Sequence, residues 1–358
     1  MNDWTLRSIV FVIGLFGLVM FFRSILRVAV LHIRKRDWIA IQTARAAQAP
    51  LVYFARKRRN YDDVQDIMVW AVPSFLLCLI SVYFLWVQVS FTLLIWAVEA
   101  EKNWLKAFIA SGSALSTLGF ATPTSTVGQL FAIWEGALGL GIIVFMFTFI
   151  PGYRAAIQDR EDLVEWMFTR IGARPTVFSL IAWCQEADQW DDLRAIMDRG
   201  ESWFRALLET HLPTPALASV PEAHQERTWV GAAVCMLDAA SFVLSSLNVK
   251  GLHSARTCYD TGIDALSPIA RELRFFRNVV TSTNGTDDES TVAYDAAYEN
   301  LRLAGVSMKP DRDGCRVAFL SLRSTYVAFV REIAAATLMP IEEPWVLPRA
   351  KVDKQTVH

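Results

Sequence analysis

The residues with the clearest chemical potential form the stretch STLGFATP, residues 116–123, which lies between two long apolar runs. The stretch combines hydroxyl side chains, a glycine and an aromatic residue, and it contains neither Lys nor Arg. Non-helical backbone at membrane depth must be buried in protein or line a polar cavity. Carbonyl oxygens of such a backbone can replace the water around a cation. We therefore expect a loop whose carbonyl groups coordinate a cation.

Three apolar segments flank or precede this loop, and each is long enough to cross a bilayer, which takes about 20 mostly apolar residues in a helix. They cover residues 4–22, a stretch within residues 67–98, and residues 129–150. The whole chain is 53% hydrophobic and 20% charged. These values predict a membrane part joined to a water-soluble part.

The distribution of Lys and Arg predicts the orientation of the spans. The loop between the first two spans carries basic runs at residues 34–36 and 56–59, whereas the next loop has only Lys102 and Lys106. Because cytoplasmic loops carry the excess of positive charge, we expect the N-terminus outside and everything after residue 151 in the cytoplasm. The expected location is the inner (plasma) membrane, as a multi-pass protein.

The outward loop contains the element that would position the cation-binding stretch. Residues 103–117 have the pattern of a short helix, and the glycine-containing segment that follows is expected to be extended. A re-entrant helix of this kind would direct its negative C-terminal end toward a pore axis and favour a cation there.

Residues 67–150 resemble the pore module of two-span potassium channels, in which a span, a short helix, a filter and a glycine-containing span follow one another. The family's filter reads Thr-x-Gly-Tyr/Phe-Gly-Asp, usually after Thr or Ser. The filter positions implied by the resemblance are Ser116, Thr117, Leu118, Gly119, Phe120 and Ala121. It also implies a permeating monovalent cation, most simply potassium, and no other cofactor. One chain supplies one pore loop, so we expect a homotetramer.

Two positions depart from the family's filter. Ala121 replaces the second glycine, and a Cβ disfavours the backbone conformation normal there by roughly 1–2 kcal/mol. Thr122 replaces the acid that supports the outer end of the filter. We therefore expect weaker potassium selectivity than in the family, or a filter that is collapsed at rest.

Other residues of the third span are candidates for support and gating. Glu135 is an intramembrane carboxylate, and two interpretations stay open: it adds negative field for cations at the filter, or it is hydrogen-bonded at a helix interface. The resemblance places the gating hinge at Gly136, Gly139 and Gly141. Phe145 and Phe149 either form an apolar constriction that gates by dewetting or face lipid and neighbouring helices.

The remainder of the chain has helical periodicity and predicts an all-helical cytoplasmic domain. Within it, Asp238 interrupts an apolar run, and it is expected either to pair with Arg227 or another base or to contact a ligand. The expected domains are residues 1–66 (N-terminal span and basic loop), 67–152 (pore module), 153–345 (helical domain) and 346–358 (C-terminal tail).

Several function classes are disfavoured by composition and motifs. The chain has no G-x-S-x-G, P-loop or H-E-x-x-H motif, so we do not expect an enzyme. Its five Cys and five His residues are scattered, which argues against a disulfide framework or a bound metal, and its net charge of −1 gives no field for nucleic acid.

The sequence therefore predicts an all-α membrane protein with three spans, a re-entrant pore helix with its filter loop, and a helical domain. The leading hypothesis is a cation channel with an atypical filter, gated or modulated by the cytoplasmic domain through an effector that the sequence does not identify. The alternative is a non-conducting, membrane-anchored oligomeric sensor or scaffold.

Overall fold

The computed structural model describes residues 3–29, 38–58, 61–98, 101–172, 175–186, 190–220, 228–248, 253–277 and 287–339. Within these ranges the chain is helical and forms no β-strand, which confirms the all-α fold class. The helices are α1 (Asp3–Ala29), α2 (Trp38–Ala55), α3 (Tyr61–Met68), α4 (Ala71–Ala97), α5 (Trp104–Leu115), α6 (Thr126–Ile171), α7 (Val177–Glu186), α8 (Trp190–His211), α9 (Trp229–Ser246), α10 (His253–Arg277), α11 (Asp287–Leu303) and α12 (Arg312–Thr337), with a 3₁₀ helix at Pro215–Ser219.

Four helical segments in the described part of the chain are long and apolar enough to cross a membrane, which makes the chain a multi-pass membrane protein. Three of them, in α1, α4 and α6, contain the segments expected from the sequence, and only 17%, 33% and 22% of their apolar windows is buried by protein. The fourth, α9, is 89% buried. Because protein already covers the apolar surface of α9, a position in a protein core explains the apolar composition of this helix.

The described residues group into two compact units. The first consists of Met1–Phe54 and Val69–Arg154, and the second of Ala55–Met68 and Ala155–His358. Helix α6 contributes its first part to the first unit and its last part to the second.

Within the first unit, α1 packs closely against α4. A Cβ on Gly14 would lie 2.9 Å from the carbonyl oxygen of Ser90, and one on Gly17 would lie 2.4 Å from Oγ of the same serine, so the absence of a Cβ allows this close approach. The indole N–H of Trp86 donates to the carbonyl of Gly17 at 2.9 Å. Farther along, the hydroxyl groups of Ser24 and Tyr83 are 3.0 Å apart. Helix α1 is therefore an integral part of this unit.

The second unit is built around α9, whose residues are almost all buried. Helices α8, α10 and α12 are amphipathic and pack around it, so that one continuous apolar core forms. The last part of α6 joins the same core through the fully buried side chains of Leu163, Val164 and Met167.

Asp238 on α9 is buried in this core and pairs with α12. Nε of Arg323 donates to Asp238 Oδ1 at 3.1 Å, and the hydroxyl of Tyr326 donates to the same oxygen. The guanidinium also donates to Ser290 of α11 at 2.8 Å. Burial, with the Asp238 carboxylate beside it, raises the pKa of Tyr326 well above its usual value, which keeps the phenol a donor. The base that pairs with Asp238 is thus Arg323; Arg227 lies outside the described residues.

A second buried ionisable group, His211, lies at the end of α8. Its ring is 5.6 Å from that of Trp229, and Nδ1 is 2.8 Å from the hydroxyl of Thr210. Burial, assisted by the positive charge of Arg160, lowers the pKa of His211 to about 3. His211 is therefore neutral in the folded protein at neutral pH.

We predict that acidification destabilises the second unit through His211. Below about pH 6.5 the unfolded chain binds a proton at this histidine while the folded chain does not, so stability falls as pH falls, down to the folded-state value near pH 3. Between about pH 7.5 and pH 5 the loss should be roughly 2 kcal/mol. Urea unfolding of the full-length protein in detergent measures it, and His211→Gln should flatten the slope. An unchanged slope in that variant would assign the pH effect to other groups.

Candidate functional site

Helix α5 is the short helix expected before the candidate filter. It begins at an N-cap, where the side chain of Asn103 accepts a hydrogen bond from the N–H of Leu105 at 2.9 Å. Its buried face carries small residues, so the helix lies close to α4. A Cβ on Gly112 would lie 2.6 Å from Nε2 of Gln88. This packing fixes the C-terminal end of α5, from which the candidate filter leaves.

The loop after α5 is held by the last turn of that helix. The N–H groups of Leu118 and Gly119 both donate to the carbonyl of Ser113, at 3.1 and 3.2 Å. The hydroxyl of Ser113 accepts from the N–H of Ala121 at 3.0 Å. Ser113 thus binds three backbone amides of the loop. Sequence reasoning did not single it out, because a serine in a helix gives no signal of a partner eight residues away.

The backbone of the loop alternates in handedness. Ser116 has φ −78°, Thr117 has φ +60° and Gly119 has φ +68°. Glycine tolerates positive φ without cost, whereas threonine does so only at a cost of roughly 1–2 kcal/mol. Alternation of this kind allows successive carbonyl groups to point to one side of the chain, whereas those of a regular strand point to opposite sides.

The expected extended strand does not form over residues 116–119. The carbonyl groups at the end of a helix lack intrahelical partners, and here the amides of residues 116–119 turn back to supply them. The end of α5 that was expected to face a cation therefore already accepts hydrogen bonds from its own loop. Among the residues described, none donates to the carbonyl groups of residues 117–120.

The rest of the loop has an ordinary backbone at Ala121 and exposed side chains on either side of it. Within the described chain the non-glycine residues with positive φ are Thr117 and Leu338, so Ala121 does not adopt the conformation that glycine would favour there. The side chains of Leu118 and Phe120 are 71% and 70% exposed in the single chain. Thr122, the position expected to support the filter, is also exposed.

Glu135 lies behind the loop, between α6 and α5. The hydroxyl of Ser111 donates to its Oε1 at 2.5 Å and also lies 3.0 Å from the carbonyl of Gln88 on α4. The side chain is fully buried. This geometry matches the second interpretation of Glu135, a carboxyl group hydrogen-bonded at a helix interface.

The glycines of α6 differ in their surroundings. A Cβ on Gly139 would lie 2.2 Å from the carbonyl oxygen of Leu115, and one on Gly136 would lie 3.1 Å from that of Ala114. A Cβ on Gly141 would meet nothing within 4 Å. Gly136 and Gly139 therefore allow α6 to cross the end of α5 at close range. Their proposed use as a hinge stays a prediction.

We predict that Gly139→Ala destabilises the first unit by about 1–3 kcal/mol, because backbone atoms of Leu115 cannot move aside as a flexible side chain would. Gly141→Ala is the matched control in the same helix, and it should be neutral or stabilising by about 0.5–1 kcal/mol, since alanine is the better helix former. Thermal unfolding of both full-length variants in detergent measures the difference. Equal melting temperatures would contradict the close contact between α6 and α5.

The two phenylalanines expected near the inner end of the third span are only partly described. Phe145 is half-buried on α6. The side chain of Phe149 lies outside the described residues. A constriction formed by them stays a prediction.

Among the residues described, no group of three or more His, Cys, Asp or Glu side chains lies close enough to hold a metal ion. Comparison with protein-family models, with curated proteins and with solved structures found no match.

Proposed function

We propose that the chain is one subunit of a homotetrameric cation channel in the inner membrane, with its N-terminus outside and its helical domain in the cytoplasm. In this proposal residues 116–121 of four subunits surround one axis, and α5 is the re-entrant pore helix. The permeating ion is a monovalent cation, most simply potassium. The lipid bilayer and further copies of the chain are its partners.

The main support for this proposal is the hydrogen bonding and conformation of the loop's backbone. Its amides bind the end of α5, and its carbonyl groups at residues 117–120 receive no hydrogen bond from the described residues. Carbonyl oxygens left without donors at membrane depth are costly unless a cation or water satisfies them. The alternating signs of φ at residues 116–119 also favour coordination of a cation by these carbonyl groups.

The exposed side chains of the loop support an oligomer. Leu118 and Phe120 are large, apolar and mostly exposed in one chain, directly beside the carbonyl groups in question. One loop cannot enclose an ion, whereas a ring of four supplies the oxygens that replace its hydration shell. Packing of these side chains on neighbouring copies would bring the four loops together.

The helical domain acts on the pore through α6 in this proposal. Residues 155–171 of that helix belong to the second unit, and Leu163, Val164, Met167 and Phe168 lie in its core. The same helix contains the third span. An effector that binds the domain would change the open population only by its difference in affinity for the two states. The gate is formed by Phe145 and Phe149, with Gly136, Gly139 and Gly141 as the hinge.

We predict measurable cation flux with weak discrimination between potassium and sodium, because Ala121 and Thr122 replace the residues that complete a selective filter. The purified protein in planar bilayers, under opposed potassium and sodium gradients, should give a reversal potential nearer zero than the potassium value. A reversal at the potassium value would contradict the reduced selectivity. Absence of current from intact tetramers, across voltage and pH, would contradict the channel itself.

The alternative of a non-conducting oligomeric sensor or scaffold is favoured by one observation. The carbonyl groups at the end of α5 are already occupied by the loop's own amides, so less negative potential is left for an ion than in an open helix end. In that case the loop holds subunits together and function resides in the second unit. Silence in bilayers with an intact tetramer would support it.

A further inference from the structure

The C-terminal part of α5 is held between α4 and α6. On the side of α4, a Cβ on Gly112 would lie 2.6 Å from Nε2 of Gln88. On the side of α6, a Cβ on Gly139 would lie 2.2 Å from the carbonyl oxygen of Leu115. All three helices belong at this point to the first unit. The end of α5 from which the candidate filter leaves is therefore placed by its two neighbours.

One buried hydroxyl group contacts both of these neighbours. Oγ of Ser111 donates to Oε1 of Glu135 on α6 at 2.5 Å, and it lies 3.0 Å from the carbonyl oxygen of Gln88 on α4. The side chains of Ser111 and Glu135 are both fully buried. Loss of one partner from a buried hydrogen bond is costly, because no water replaces it. This link therefore favours a single position of α5 between the two helices.

Ser111 lies two residues before the group that binds the loop. The carbonyl and hydroxyl groups of Ser113 accept hydrogen bonds from amides within residues 118–121, at 3.0 to 3.2 Å. Both serines belong to the same short helix, so a displacement of Ser111 moves Ser113 with it. A shift of about 1 Å is enough to break hydrogen bonds of this length. Glu135 is thus connected to the loop through α5.

The surroundings of Glu135 favour a role through hydrogen bonding and not through charge. Among the described residues, none donates a hydrogen bond to its second carboxyl oxygen, Oε2. No Lys or Arg in the described part of the chain forms a salt bridge with it. A carboxylate anion within a span needs several donors or a cation beside it. A carboxyl group with one hydroxyl partner serves instead as a hydrogen-bond acceptor for α5.

We propose that Glu135 is a positioning residue for the candidate filter: through its bond to Ser111 it holds α5 and thereby the loop at residues 116–121. Its carboxyl oxygen is needed as an acceptor, whereas a negative charge is not. The consequence for ion selectivity rests on the proposed channel function. The effect on the loop does not, since it arises within one chain.

The test is amide hydrogen exchange of the full-length protein in detergent, measured by mass spectrometry over residues 116–121. Glu135→Leu removes the acceptor but keeps a large side chain, and it should speed exchange in the loop about tenfold. Ser111→Ala should have the same effect, and the double variant should exchange no faster than either, because both changes remove one bond. Glu135→Gln keeps an oxygen at the end of the side chain and should exchange like the parent.

Tyr83→Phe is the matched control. It removes another buried hydrogen bond of the first unit, between the hydroxyl groups of Tyr83 on α4 and Ser24 on α1, which are 3.0 Å apart. Exchange over residues 116–121 should stay at the parent rate in this variant. Equal acceleration by Tyr83→Phe and Glu135→Leu would reduce the effect to a general loosening of the unit and would overturn the inference.

Two other results would also overturn it. Unchanged exchange in Glu135→Leu would show that the loop is held without Glu135. Exchange as fast in Glu135→Gln as in Glu135→Leu would assign the effect to the charge.

Ion selectivity gives a second measurement on the same variants. In planar bilayers under opposed potassium and sodium gradients, Glu135→Leu should move the reversal potential closer to zero, whereas Glu135→Gln should keep the parent value. A parent protein without current would contradict the channel alone. The exchange rates would then still decide whether Glu135 positions the loop.

Discussion

Replacing Gly119 with aspartate is expected to abolish cation flux, with a fall of at least about a hundredfold. Gly119 has φ +68°, where any Cβ costs roughly 1–2 kcal/mol. The protomer has open space around this position, so the substitution should leave the chain folded. In a tetramer, however, four carboxylates would lie beside the carbonyl groups of residues 117–120. Repulsion between the carboxylates and the altered backbone at residue 119 would disrupt the ring of carbonyl oxygens.

The matched control is Thr122→Asp, which adds the same carboxylate three residues farther along, where the potassium-channel filter has its acid. Flux should be kept, and potassium selectivity should rise. The measurement is potassium-driven flux into proteoliposomes, normalised to the amount of tetramer. Undiminished flux in Gly119→Asp, with the oligomer intact, would exclude residues 116–121 as the permeation path.

The substitution with the largest expected effect on stability is Asp238→Leu. It would leave the guanidinium of Arg323 buried without its carboxylate, and breaking a buried pair from one side typically costs about 3–5 kcal/mol. Tyr326→Phe removes only the phenol hydrogen bond and should cost about 1–2 kcal/mol. Urea unfolding of the full-length protein in detergent, read at the transition of the second unit, measures both.

Two further variants separate a buried pair from ordinary surface charge. Asp295→Ala removes a partly exposed carboxylate that pairs with Arg312 and Arg316, and it should cost roughly 1 kcal/mol or less. The double variant Asp238→Leu/Arg323→Leu should recover part of the stability lost in Asp238→Leu, because the unpaired charge is gone. Simple addition of the two single losses would show that the residues do not act as a pair.

The helices could be predicted from the sequence because long apolar runs and helical periodicity are local signals. The segments expected to span the membrane lie within α1, α4 and α6, and the short helix expected at residues 103–117 is α5. The position of α9 in the core could be predicted only in part, because apolar composition alone does not distinguish a membrane-spanning helix from a helix buried in a protein core.

The details of the loop could not be predicted in the same way. Positive φ at Thr117 contradicts the ordinary preference of a β-branched residue, and it is maintained by hydrogen bonds to Ser113 and Ala114 rather than by local propensity. The partner of Asp238 is 85 residues away along the chain. Contacts between residues this far apart depend on how the helices pack, so the spacing of residues within one segment does not predict them.

The continuity of α6 has a consequence for how this protein could change in evolution. Leu163, Val164 and Met167 fill the core of the second unit, yet they belong to the same helix as the third span. A recombination event with its junction beyond Ile171 would leave these three side chains attached to the span and would leave the transferred domain with a cavity in its core. Exchange of modules should therefore succeed only with a junction near Pro151 or Gly152, so that the last part of α6 moves together with the domain.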